Sequence, residues 1–263
     1  MIGVDVAETR VGLGMLTPSS NTVLEPVCSA MLANLPEVSL HFGRFRVTEI
    51  SLTEQALGQF GLAAMLQAAE LLADARVKTI CWNGTSASWL GLQRDRDLCE
   101  TIRNDTGIAA TSSVLSLFDA LRAEGLSRVG LVTPYTANVQ QSIAQNLASE
   151  GVEVVGERHL GISENYAFGT VPAETIVQMI RDVAVPRVEA VLVLCTNLRA
   201  APHVDALERE LGIPILDSVA TAVWGALRLV GIEPARVTDW GRLFRGLGTA
   251  KPLAADDALG QGV

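Results

Sequence analysis

Chemistry that depends on metals or disulfides finds little to work with in this sequence. Four cysteines (Cys28, Cys81, Cys99, Cys195) are scattered over 263 residues with no C-x-x-C pair, so neither a disulfide framework nor a zinc ribbon is predicted. The three histidines, His41, His159 and His203, have no partner at ligand spacing, and no H-E-x-x-H occurs; a metal site has no support. A basic stripe is also missing. With 20 Lys/Arg against 29 Asp/Glu the formal net charge is −9, which argues against nucleic acid and anionic membranes as partners. No apolar run approaches the roughly 18–20 residues of a membrane span. Met1 to Arg10 is mixed and acidic, without a signal core. These gaps predict a soluble, reduced, cytoplasmic protein.

What is present is apolar and periodic. Hydrophobic residues make up 49% of the chain, enough for a large core and for one domain or two of about 100–150 residues each. The run Val188-Glu189-Ala190-Val191-Leu192-Val193-Leu194-Cys195-Thr196-Asn197 reads as a strand buried on both faces. It ends at a cysteine and two small polar residues, and a helical pattern follows from Pro202 to Leu211. In open α/β sheets, ligands bind beyond the carboxyl ends of the strands, which is where Cys195 falls.

Strand and helix patterns alternate along the chain. Val11–Thr17, Val38–Phe45, Val77–Trp82 and Ile108–Thr111 read as strands, and so do Arg128–Thr133, Val152–Arg158 and Gly212–Leu216. Between them, helices are expected over Thr22–Leu35, within Leu52–Ala75, and over Leu92–Thr106, Ser113–Glu124, Asn138–Glu150, Pro172–Asp182 and Val219–Val230; residues 162–170 read as a polar loop. This rhythm implies parallel sheets covered by helices on both faces.

The series also repeats itself. Arg10-Val11-Gly12-Leu13 leads to Thr17-Pro18 as Arg128-Val129-Gly130-Leu131 leads to Thr133-Pro134. Arg76-Val77 stands eight positions before Gly84 as Arg187-Val188 stands eight before Cys195. Gly107-Ile108 followed by Ala120-Leu121-Arg122 matches Gly212-Ile213 followed by Ala226-Leu227-Arg228. Two similar halves facing each other enclose one cleft, a usual place for a ligand. The expected division is an N-terminal half over 1–115 completed by 219–248, a second half over 116–218, and a flexible tail over 249–263.

By this repeat Gly84 and Cys195 hold equivalent strand ends. Those motifs, with Pro18-Ser19-Ser20-Asn21-Thr22-Val23-Leu24-Glu25-Pro26, resemble the aspartate/glutamate racemase superfamily, and within it the branch of maleate cis–trans isomerases and arylmalonate decarboxylases. The likeness runs from about Val11 to Gly246. It implies an α/β fold of two pseudo-symmetric flavodoxin-like domains, each a doubly wound parallel sheet, with the active site in the cleft between them. It implies no cofactor, a small dicarboxylate substrate, and room for a homo-oligomer. Racemases resembling this chain carry a cysteine at both strand ends, isomerases use the first as a nucleophile, and decarboxylases carry glycine first and keep only the second. Gly84-Thr85-Ser86 and Cys195 match the decarboxylase pattern, whereas the Pro-Ser-Ser-Asn-Thr stretch is that of the isomerases.

The resemblance assigns roles. Cys195 is the general acid that protonates an enediolate, and should rest as a thiol. Gly84 leaves backbone N–H groups at a helix start for an oxyanion, and Thr85, Ser86 and Tyr135 add hydroxyl donors. Asn21 and Asn165 grip a carboxylate, with Pro18 and Thr196 completing the binding set. Leu16, Trp82 and Trp89 are candidates to desolvate the departing carboxylate. Plainer roles stand beside these: helix caps for Thr85, Ser86, Ser88 and Asn21, a solvated packing ring for Tyr135, a turn residue for Asn165, and core packing for Cys28, Cys81 and Cys99. The expected function is decarboxylation of a substituted malonate-type diacid, the alternatives being isomerisation of a maleate-like diacid or non-catalytic diacid binding. Restoring a thiol by Gly84→Cys is expected to confer racemase-like exchange if positions 84 and 195 face each other across a planar intermediate.

Overall fold

A computed structural model describes residues 10–246. In chain order the elements are β1 (Val11–Pro18), α1 (Leu24–Met31), β2 (Val38–Phe45), α2 (Glu54–Gly58), α3 (Leu62–Asp74), β3 (Thr79–Trp82), α4 (Ala87–Leu90), α5 (Leu92–Thr106), β4 (Ala109–Ser112) and α6 (Ser113–Glu124). The second series is β5 (Arg128–Thr133), α7 (Ala137–Ser149), β6 (Glu153–His159), α8 (Asn165–Phe168), α9 (Ala173–Val183), β7 (Ala190–Val193), α10 (Val204–Leu211), β8 (Ile215–Asp217), α11 (Ser218–Leu229) and α12 (Arg242–Gly246). The strands form two four-stranded parallel sheets, ordered β2-β1-β3-β4 and β6-β5-β7-β8. Each strand of the first sheet thus has its counterpart in the second. The tail expected over 249–263 lies outside the described residues.

The sequence repeat is also a backbone repeat. Arg76 and Arg187, the arginines that open the matched motifs, both adopt positive φ, 53° and 78°. An L-residue rarely takes this left-handed conformation, and here two arginines take it at equivalent bends into β3 and β7. Both strands are buried along their whole length, as the unbroken apolar runs require. Helices α5 and α6 end where the glycines predict, at Gly107 (φ 73°) and Gly125 (φ 65°), left-handed caps that a side chain would strain.

The helix that follows each sheet's last strand joins the halves. Asp217 accepts hydrogen bonds from the backbone N–H groups of Val219 and Ala220 and so starts α11. That helix packs not on its own sheet alone but on β3, β4 and α6 of the other. The crossing with α6 is close. A Cβ on Gly225 would come within 2.8 Å of Ser116 Cβ, so only glycine fits there without displacement.

Several expected elements are shorter or more broken. The long helix expected within Leu52–Ala75 is α3, and the short α2 precedes it, with a turn at Gly58–Gly61 between the two. Taken whole, Glu54–Asp74 is long and apolar enough to pass for a membrane span. Yet Met65, Ala68, Ala69 and Leu72 are buried and α3 packs on β1, β2 and α5, as a flanking helix of the first sheet does. The loop expected over 162–170 contains the short helix α8. Strand β7 stops at Val193 because its neighbour β8 ends opposite, at Asp217. The Leu194 N–H still donates to the Val132 carbonyl at 3.0 Å, and just beyond it Thr196 reaches the other half at the Asn83 carbonyl.

Candidate active site between the two sheets

The residues singled out at the strand ends come together. Thr85, after β3, and Tyr135, after β5, descend from different sheets, and their hydroxyls meet at 2.7 Å. The Tyr135 hydroxyl also bears on the Cys195 thiol, favouring its ionised form. The Tyr135 ring is held edge-on by Trp89 (centroids 5.2 Å apart) and by Phe168 (5.4 Å), a favourable arrangement for aromatic pairs. Its hydroxyl is therefore buried and partnered, and the solvated packing role does not hold. Cys195 and Tyr135 are each 2% exposed and Thr85 is 4%, so this cluster is shielded from bulk water.

Burial pushes the Cys195 thiol up to about 12, against the pull of the Tyr135 hydroxyl and the Asn197 backbone N–H, which act the other way. Asp217 adds a smaller upward push. At neutral pH the group is a thiol with a proton to give. The same hydroxyl and amide stand ready to receive the charge once that proton has left.

The opposite strand end carries no side chain at Gly84, and the reason is visible. A Cβ built there would fall within 2.5 Å of Trp82 Cε2 and Cη2 and closer still to Cζ2. The indole lies against the Gly84 backbone, with Phe45 packed on it at 5.1 Å between centroids and its Nε1–H directed at Ser86 Oγ, 3.4 Å away. Trp82 is fully buried. A side chain introduced by Gly84→Cys therefore meets a volume already taken by the indole, which would have to shift to admit it.

Ser86 precedes α4, yet its side chain makes no capping hydrogen bond, and Thr85 Oγ1 turns to Tyr135 instead. Ser88 donates to the Thr85 carbonyl, at 2.6 Å. Capping therefore does not account for Thr85 or Ser86. Among the described residues, the backbone N–H groups of Gly84, Thr85 and Ser86 donate to no protein acceptor. Asn83 and Thr85, on either side of Gly84, both touch the second half, so these amides stand at the cleft.

The remaining site residues form a polar seam between the halves. Asn21 Oδ1 accepts from the backbone N–H of Val23 and Leu24, which makes it a cap of α1 as expected, while its Nδ2 donates across the cleft to Thr196 Oγ1 at 3.1 Å. Thr196 in turn donates to the Asn83 carbonyl, 3.1 Å. Asn165 lies at the start of α8 and donates to Ser20 Oγ at 2.7 Å. The carbonyl of Pro18 accepts from Asn21 N, 3.0 Å, closing the turn that carries Ser20 and Asn21. Asn197, not singled out beforehand, ties this set together: its Oδ1 accepts from Thr22 N (2.9 Å) and its Nδ2 donates to the Asn165 carbonyl (2.5 Å). Its position beside Cys195 was the available signal. Every polar side chain at the centre is neutral, and among the described residues no three metal-capable side chains gather.

A profile of the arylmalonate decarboxylase family matches residues 42–244. The chain belongs to that family. Two named relatives divide over the reaction. A maleate isomerase of Nocardia farcinica is 30% identical over 246 residues, covering 89% of this chain and 95% of its own. The arylmalonate decarboxylase of Bordetella bronchiseptica is 27% identical over 235 residues, covering 88% and 95%. A solved structure of a cysteine-to-serine variant of the Nocardia farcinica maleate cis–trans isomerase, with a covalently bound succinylcysteine intermediate, superimposes with a TM-score of 0.80 at 28% identity, covering 89% of this chain and 98% of that one. Membership of the family makes the chain an enzyme of the decarboxylase and isomerase group, with two similar α/β domains.

Proposed function

We propose that the protein is a cofactor-independent decarboxylase of a substituted malonate-type dicarboxylate. The observation that carries the reading is the asymmetry of the two strand ends, a buried protonated thiol on one and a bare glycine under an indole on the other. Such a site has an acid and no opposing nucleophile.

The chemistry follows from the groups present. Asn21 and Asn165, each oriented by a second contact, offer amide hydrogens to one carboxylate, with the turn at Pro18 and the hydroxyl of Thr196 shaping the same wall. The other carboxylate leaves as CO2 when its C–C bond breaks. The electron pair passes into the retained carboxyl group, giving an enediolate. The N–H groups of Gly84, Thr85 and Ser86 and the hydroxyls of Thr85, Ser86 and Tyr135 receive the developing oxyanion charge, an arrangement worth most where water is excluded. The Cys195 thiol then protonates carbon. Its thiolate is held by Tyr135 and the Asn197 amide until it regains a proton from solvent, so the turnover consumes one proton and releases one CO2. All four cysteines are free, in keeping with a reduced, cytoplasmic setting.

A second reading, cis–trans isomerisation of a maleate-like diacid, is favoured by the asparagine pair, which in the resembling isomerases grips a carboxylate. It requires Cys195 to act as the nucleophile, against a resting state that holds it as a thiol. An NMR time course with phenylmalonate, methyl(phenyl)malonate, maleate and aspartate separates the readings. Cys195-dependent loss of CO2 from a malonate is the expected result. Conversion of maleate to fumarate without CO2 would replace the decarboxylase with the isomerase. Thermal stabilisation by diacids with no product from any of them would leave a binding protein.

A further inference from the structure

We propose that Trp82, rather than Gly84 alone, makes this site one-sided: its indole fills the volume of a side chain at position 84 and walls the face of the intermediate opposite Cys195. For the identity of that intermediate the inference rests on the decarboxylase reading; its steric part stands without it.

The observations converge on the ring. A Cβ at 84 collides with three atoms of the indole, and the indole is fully buried. The Phe45 ring at 5.1 Å and the contact from Nε1 to Ser86 Oγ at 3.4 Å hold the indole in this orientation. Trp82 and Gly84 lie two positions apart at the end of β3, where alternate residues point to one face. Removing the side chain at 84 is what lets the larger side chain at 82 lean over the strand end. The two residues therefore form one unit, and neither can be exchanged alone for a working thiol.

The chemical consequence is a fixed hand. If the equivalent strand ends at Gly84 and Cys195 flank the enediolate, it meets a proton donor on one face and an indole, which gives no proton to carbon, on the other. A prochiral disubstituted malonate should then give one enantiomer, and that product should not be re-deprotonated from the opposite face.

Four proteins test this: the parent, Gly84→Cys, Trp82→Ala and the paired Gly84→Cys/Trp82→Ala variant. The first arm needs no turnover. Gly84→Cys alone should lower Tm by about 4–8 °C, as overpacking of a closed core does. The paired variant should recover the Tm of Trp82→Ala and show one more thiol reactive towards a small disulfide reagent than Trp82→Ala does. A Gly84→Cys protein with the parent's Tm and a reactive new thiol overturns the proposal. So does a paired variant that falls as far below Trp82→Ala in Tm as Gly84→Cys falls below the parent.

The second arm uses methyl(phenyl)malonate in heavy water, with chiral chromatography of the product. The parent and Trp82→Ala should each give a single enantiomer. The paired variant should give a product approaching the racemate and should exchange the product's α-hydrogen. A paired variant with a reactive thiol that still gives one enantiomer without exchange overturns the chemical part. If the parent releases no CO2, the decarboxylase reading fails separately, and the stability and thiol arm alone decides whether Trp82 closes that face.

Discussion

The hydroxyls of Tyr135 and Thr85 stand 2.7 Å apart although one follows a strand of the second sheet and the other a strand of the first. This contact spans the cleft and aims the phenol at Cys195. Tyr135→Phe keeps the ring between Trp89 and Phe168 but removes both the oxyanion donor and the partner of the thiolate. We expect kcat for the accepted diacid to fall by about 10²–10³-fold, with KM changed less and Tm within a few degrees of the parent. An equal loss in KM alone would assign the hydroxyl to binding.

In the proposed mechanism Cys195 carries the acid role, and its pH behaviour is specific. Because burial raises the thiol to about 12, the acid form persists through the neutral and mildly alkaline range. A kcat profile should therefore be flat from about pH 6 to pH 10, with no limb in the ordinary thiol range near pH 8.5. Cys195→Ala should abolish turnover while circular dichroism stays unchanged. A falling limb between pH 8 and 9 would show that the thiol is not protected as the geometry requires.

Stability should respond to pH through two buried carboxyls. Burial lifts both Asp95 and Asp217 from 3.8 to about 7, and each has an oxygen without a hydrogen-bond partner. The folded state holds these protons more tightly than the unfolded chain. Their contribution is complete below the ordinary carboxylate range and is lost as pH rises from about 4 through 7. Surface carboxylates lowered by hydrogen bonds, Asp182 and Glu189 among them, act the other way at more acid pH. Tm should peak near pH 5 and decline towards pH 8. The paired Asp95→Asn and Asp217→Asn variant should flatten that decline, since asparagine at 217 can still cap α11.

The left-handed arginines offer a test of the repeat. Holding an L-residue at positive φ costs about 1–2 kcal/mol, from which glycine's greater unfolded-state entropy, about 0.5–1 kcal/mol, must be subtracted. Exposed Arg76, replaced by glycine, should stabilise the protein by about 0.5–1 kcal/mol in denaturant unfolding. A loss of stability would mean that the side chain makes a contribution larger than the strain.

The sequence made the scaffold legible because its signals are local. Gly107 and Gly125 mark helix ends, the apolar runs at Val77–Trp82 and Val188–Asn197 mark buried strands, and the paired arginines mark where one half repeats the other. Thr85, Tyr135, Cys195, Asn21 and Asn165 were legible as a set through the motifs that carry them. Contacts between distant segments were not. That Asn197 joins Thr22 to Asn165 depends on how two halves dock, and no spacing encodes it. The bend at Gly58–Gly61 was hidden by continuous helical periodicity on both sides. Trp82 was read only as an apolar neighbour, although its place two residues before a glycine on a strand was the clue to what fills the empty position.

The seam joining the strand ends is made of short neutral side chains, Asn21 to Thr196, Asn165 to Ser20 and Asn197 to Thr22, while on the α6–α11 side the helices interlock at Gly225 and Ser116. Water can replace each seam hydrogen bond at little net cost, but nothing replaces the fitted contact of the two helices. Any parting of the halves would therefore wet the seam before it disturbed the α6–α11 contact. On the proposed reading a diacid, which brings its own acceptors, would take over the bonds that water would otherwise have to make.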